Sequence, residues 1–146
     1  MKFVSGISRH DPDNGTLGDC FRACIASLLD LEAAEVPHTD AEITFGEWDT
    51  MYRDFLHDRG YRKIALPLVA SSLEEALSIT AGWADGLPYI FSGACRRGIA
   101  HAVIAQHGKI IHDPAGSAEP YIFGPFTGDG RYGCEFIVPF QQGGAQ

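Results

Sequence analysis

The sequence predicts an α+β domain in which a leading helix packs on an antiparallel β-sheet. Apolar residues recur at helical spacing in the first part of the chain, over Cys20 to Leu31 and again over Phe45 to Arg59. From Leu87 onward the pattern becomes a series of short runs with strand character. Helices followed by strands is the order of an α+β domain. The chain has 146 residues, 45% apolar and 21% charged, which suits one core with no internal repeat and no dividing linker. Residues 1–140 are read as that single domain, and 141–146 as a polar, glycine-bearing tail.

Each element has a local reason. The opening HDPDNGTLGD is rich in turn residues and ends at Asp19, an acceptable N-cap. In the helix that follows, Phe21, Cys24, Ile25, Leu28, Leu29 and Leu31 fill one half of the wheel. Ala23, Ala26 and Ser27 keep the other half small, so this helix is expected to be largely buried. The second helix turns Trp48, Met51, Tyr52, Phe55 and Leu56 inward and stops at Gly60. Lys63 to Val69 suits a strand, and Ser72 with Glu75 forms a capping box for a short helix through Ile79. Strands are expected at Leu87–Phe91, Ile99–Gln106, Lys109–His112 and Cys134–Phe140.

Charge and cysteine usage bound the function. Nineteen acidic against eleven basic residues give a net charge of −8, which opposes phosphate-backbone binding. The densest basic spot is the pair Arg96-Arg97, so nucleic acid is not an expected partner. MKFVSGISRH has no apolar run of signal-peptide type, and no stretch is long enough to span a bilayer. A cytoplasmic location is expected, and with it four reduced thiols: Cys20, Cys24, Cys95 and Cys134.

Cys20 opens its helix at the edge of the apolar arc. Unpaired backbone N–H groups and the helix dipole there favour an anionic sulfur, whereas Asp19 next to it opposes one, so a cationic partner is required. Cys24, one turn on, points into the core. The partner is sought in GIAHAVIAQ, which places His101 in an alternating strand, and in IIHDP, which closes the next strand at Asp113. A three-residue Gln106-His107-Gly108 loop would pair 105 with 109 and 101 with 113, on one face of the ladder. A two-residue turn would put His101 and Asp113 on opposite faces. Cysteine, histidine and acid are the parts of a nucleophile, base and orienter relay. Asn14, six residues before Cys20, offers a side-chain NH₂ to an oxyanion, although Asn-Gly is equally an ordinary turn dipeptide.

The segment NGTLGDCFRACIASLL, with the later HAVI and HDP stretches, resembles the papain-like cysteine peptidase superfamily. It is most similar to the peptidase domains of bacteriocin exporters that cut double-glycine leaders, and to small phage-encoded proteins of that fold. The resemblance covers about a third of the chain. It implies a papain-like fold, Cys20 as nucleophile, His101 as base, Asp113 as the acid, and Asn14 where the superfamily carries an oxyanion glutamine. Two residues depart from the pattern: Asn14 is shorter than glutamine, and Phe21 stands where a glycine follows the nucleophile.

Other chemistries fit less well. Zinc would need a short-spaced Cys or His pair, and Cys24 falls on the core face. GDGRYG matches a dinucleotide string but precedes a strand rather than a helix. DPDNG puts Gly15 at the fifth position of a calcium loop, and there is no G-x-S-x-G. The expectation is therefore a cofactor-free thiol hydrolase acting on a peptide, isopeptide or amide bond, with a peptide or protein as substrate. Acyl transfer to an amine uses the same parts. A papain-fold module that only captures a peptide or small ligand is the alternative from another class. The sequence does not indicate an oligomeric state.

Overall fold

The computed structural model describes residues 1–116 and 122–140, so the tail assigned to 141–146 lies outside the described residues. Three α-helices and five strands are found among them: α1 Cys20–Leu28, α2 Phe45–Asp58, β1 Tyr61–Val69, α3 Leu73–Ala84, β2 Tyr89–Ala94, β3 Ala100–Gln106, β4 Lys109–His112 and β5 Arg131–Pro139. The strands form one antiparallel sheet in the order β1-β5-β2-β3-β4. The chain is thus α+β, with an antiparallel sheet and α1 packed on β3.

Alternate residues of β2 and β3 enter two different cores. Ile90, Ala102 and Ile104 pack with α1 and α2, and Tyr89, Phe91, Val103 and Ala105 pack with α3. Both faces of the central strands are therefore covered, which explains why YIFSGA reads as a continuous apolar run rather than an alternating one. Burying Ile25, Ile90 and Ile104, each fully shielded, contributes about 1.5–3 kcal/mol per side chain.

Several boundaries differ from the sequence expectation. Helix α1 stops at Leu28 rather than Leu31, and Asp30 turns the chain through a positive φ of 55°. Helix α3 runs past Ile79 to Ala84, held by the buried Thr80, whose hydroxyl lies 2.5 Å from that of Tyr89. Strand β1 begins at Tyr61 and β5 at Arg131, because the two pair along their whole length from Tyr61↔Pro139 to Val69↔Arg131. Strand β2 starts at Tyr89, just after Pro88, which has no N–H for a ladder.

Helix α2 is pinned to this pair of strands by buried charge. Lys63 Nζ lies 2.5 Å from Asp49 and 2.9 Å from Glu135, beside the rings of Phe21 and Trp48 at 5.2 Å. Arg53 completes the group, donating to Asp49 and to the Lys63 carbonyl, each at 2.7 Å. Replacing the buried Lys63 leaves the mostly buried Glu135 without its cation, at a cost of about 3–5 kcal/mol. This cluster fixes α2 and supports Phe21, the neighbour of Cys20.

Candidate active site

Cys20 begins α1, and its sulfur reaches the outer edge of β3. Pairing of β3 with β4 ends at Ile104↔His112, so the Ala102 N–H is left without a strand partner and donates to Cys20 Sγ at 3.4 Å. Cys20 is half-buried, and Cys24 is fully buried one turn further on, as the apolar arc predicts. Burial pushes the Cys24 thiol well up, with the charges of Cys20 and Asp113 adding to the effect, and it pushes Cys134 up to about 12. All four cysteines are free thiols.

His101 Nε2 lies 2.7 Å from Asp113 Oδ1. The expected hairpin register is not how this comes about. The turn is the two-residue type, with His107 and Gly108 both at positive φ (54° and 77°), and Gln106↔Lys109 and Ala105↔Ile110 follow from it. By itself that register puts His101 and Asp113 on opposite faces. A bulge corrects it: Ala105 pairs with Ile110 but Ile104 pairs with His112, so Ile111 is an extra residue in β4. The added residue restores the parity, and Asp113 turns back toward His101. The loop assignment is therefore corrected, while the predicted proximity of the two side chains is present.

His101 is mostly buried, and burial by itself disfavours its charged form. Hydrogen bonds to Asp113 and Cys20 and the charges of both outweigh this, and its pKa is raised to about 10. Since Nε2 is engaged by Asp113, Nδ1 is the nitrogen left for the sulfur. Asp113 Oδ1 also accepts the Ala115 N–H at 2.9 Å, which fixes the carboxylate from the loop side.

Asn14 stands elsewhere. It is exposed at the end of a short 3₁₀ turn, Pro12–Asn14, and its amide donates to Asp11 at 2.7 Å. It is absent from the walls of the cleft around Cys20, so the oxyanion position expected for it is not one this geometry provides. Six residues of turn-rich chain curl back on themselves instead of running straight into α1, with Asp11 and Thr16 bridged to each other.

The cleft has a volume of about 270 Å³. One wall is the chain's own N-terminal segment, Gly6 to His10, and the other is the turn between β2 and β3 with Cys95, Arg97 and Ile99. Asp19 holds the first wall in place. It is 2% exposed, and its two carboxylate oxygens accept the Ile7 and Ser8 N–H groups at 3.0 Å each, with Arg22 at 3.4 Å. The approach is close enough that a Cβ on Gly6 would meet Asp19 Oδ1 at 2.7 Å. The two oxygens of Asp19, the residue expected to oppose a thiolate, are engaged by two amides and a guanidinium. His112 adds a second tether, its Nε2 2.7 Å from the Val4 carbonyl and its ring stacked on Phe3.

His10 also faces the cleft. The Gly18 N–H donates to its Nδ1 at 3.3 Å, so the ring hydrogen belongs on Nε2. Neither the place of His10 nor the hold of Asp19 on the Ile7 and Ser8 amides is visible from spacing, because their partners lie eight to twelve residues away across an irregular segment. Among the described residues no group of three His, Cys, Asp or Glu side chains is arranged to hold a metal ion. Among the described residues no helix is long and apolar enough to cross a membrane.

Comparison with known proteins found no match among family models, curated proteins or solved structures.

Proposed function

We propose that this chain is a papain-like thiol hydrolase that cleaves a peptide, isopeptide or amide bond through a thioester on Cys20. The observation that carries the reading is the 2.7 Å contact of His101 with Asp113, together with the lining of one cleft by both His101 and the half-buried Cys20. His101 takes the thiol proton on Nδ1, and Asp113 holds the ring through Nε2 and stabilises its charged form. The sulfur attacks the carbonyl carbon, and the charge that develops on oxygen meets N–H donors. The candidates for this are the Cys20 backbone N–H, in the first turn of α1 where N–H groups lack helical partners, and the Nε2–H of His10, which lines the same cleft. His101 then gives its proton to the leaving amine, and water, deprotonated by the same imidazole, releases the acyl group. Transfer to a second amine replaces water in the last step without any change of residues.

Intact-mass spectrometry after incubation with acetylglycine p-nitrophenyl ester tests this reading. One acetylglycyl group on the wild-type protein and none on Cys20→Ala is the expected result. A folded wild-type protein that neither retains the acyl group nor releases p-nitrophenol faster than Cys20→Ala overturns it in favour of a module that only captures ligands.

A further inference from the structure

The loop that keeps Asn14 away from the cleft brings a different side chain to it. Asp11 and Thr16 exchange both main-chain hydrogen bonds, at 2.9 and 3.1 Å, and the Thr16 hydroxyl donates to the Arg9 carbonyl at 3.0 Å. Gly15 sits in the turn at a φ of 77°, a conformation open to glycine. Residues 11–16 thus form a small hairpin, and the chain on its two sides meets at His10 and Gly18. None of these bonds uses the Asn14 side chain, which is spent on Asp11.

His10 is fixed in both backbone and ring. A Cβ added to Gly18 would stand 3.0 Å from that of His10, and the Gly18 N–H donates to His10 Nδ1 at 3.3 Å. From the opposite wall, Arg97 Nη1 donates to the His10 carbonyl at 3.1 Å. With Nδ1 accepting, the neutral ring carries its hydrogen on Nε2, and among the described residues that nitrogen has no acceptor. Gly18 precedes Cys20 by two residues, so their Cα atoms are at most about 7.6 Å apart. His10, Gly18 and Cys20 line one cleft. Of the other side chains in its walls, His101 is taken by Asp113, and the Ser8 hydroxyl has no partner among the described residues to fix its rotation.

We infer that His10 is the side-chain donor of the oxyanion site, presented as a neutral imidazole by the 11–16 hairpin, with Gly18 as its positioning residue. This rests on the proposed hydrolase. As the bond from Cys20 Sγ to the carbonyl carbon forms, the π pair of the carbonyl moves onto oxygen. His10 Nε2–H and the Cys20 N–H share that charge without giving up their protons. The pair returns to carbon as the leaving group departs with the electrons of its own bond. A donor held in place before the reaction needs no reorganisation when the charge appears, which favours the fixed ring over a free hydroxyl.

Two reactions of one sulfur test this. Acylation by acetylglycine p-nitrophenyl ester puts charge on a carbonyl oxygen, whereas alkylation by iodoacetamide expels iodide from a saturated carbon and puts none there. His10→Phe is expected to lower the acylation rate about 10²- to 10³-fold while Cys20 alkylation stays within about threefold of wild type. Gly18→Ala, which pushes the ring by its new methyl group, should lower acylation about tenfold in the wild type and no further in His10→Phe. Circular dichroism establishes that each variant is folded. An acylation rate unchanged in His10→Phe, or a loss of that size in Ser8→Ala instead, overturns the inference and leaves the hydrolase standing. A parallel fall of both rates in His10→Phe also overturns it, because the ring then acts on the sulfur. An equal effect of Gly18→Ala in both backgrounds removes Gly18 as the positioning residue. Wild-type protein that is alkylated at Cys20 but neither acylated nor active in releasing p-nitrophenol overturns the hydrolase itself.

Discussion

His101 and Asp113 are joined by a 2.7 Å contact that depends on a residue belonging to neither, the extra Ile111 in β4. The tight His107-Gly108 turn alone would turn the carboxylate away, and the bulge turns it back. Asp113→Asn keeps the shape of that contact and removes the negative charge that stabilises the imidazolium. Its acylation rate is expected to fall about 10²- to 10⁴-fold with the fold intact. Stopped-flow measurement with the nitrophenyl ester checks this, and an unchanged rate would take Asp113 out of the relay.

The same contact makes stability depend on pH in a stated direction. Burial lowers the proton affinity of His101, but Asp113 and Cys20 more than reverse this, and the pKa stands at about 10 in the folded chain. In the unfolded chain it returns to about 6.5. A pKa raised by folding means the folded state holds the proton more tightly. The contribution of His101 is therefore fully present below about pH 6.5 and is lost as the pH rises through about 10. Urea unfolding of the wild type and His101→Gln should show a gap that narrows across this window. A gap that widens with pH would reverse the sign.

Asp19 organises the N-terminal wall of the cleft through the Ile7 and Ser8 amides. Asp19→Ala leaves those part-buried amides and Arg22 without their acceptor, and so loosens the segment they hold. Limited proteolysis should then cut within residues 5–10 faster than in the wild type. Equal protection of that segment in both proteins would show that the wall stands without Asp19.

Asn14 has the spacing of an oxyanion donor and the contacts of a turn residue. Asn14→Ala is expected to leave the acylation rate within about twofold of wild type, because its amide is spent on Asp11. A loss of about 10²–10³ would return Asn14 to the cleft.

Much of this was legible in the sequence, and the gaps have physical causes. The Cys20 helix, the α2 face bearing Trp48, Tyr52 and Leu56, and the β3–β4 hairpin follow from periodicity, which registers burial on one face. The length of α3 did not, because its last turn is held by Thr80 and Tyr89, a tertiary contact. The bulge at Ile111 is likewise invisible, since one extra residue in a strand leaves no compositional mark. The residues of the proposed relay could be singled out because each has an unusual local setting, a cysteine at a helix start or a histidine inside an apolar strand. The places of His10, Asp19 and Arg97 in the cleft were not legible, because they lie in what an irregular segment folds back upon.

Mass-resolved alkylation of the four cysteines by iodoacetamide at neutral pH, in the wild type and in His101→Gln, tests the central claim most directly. Cys20 alone is half-exposed and shares the cleft with His101, while Cys24, Cys95 and Cys134 are buried. Cys20 should take the first label, and its rate should fall at least about tenfold when His101 is replaced. First modification of Cys95 or Cys134, or a Cys20 rate indifferent to His101, would contradict the account.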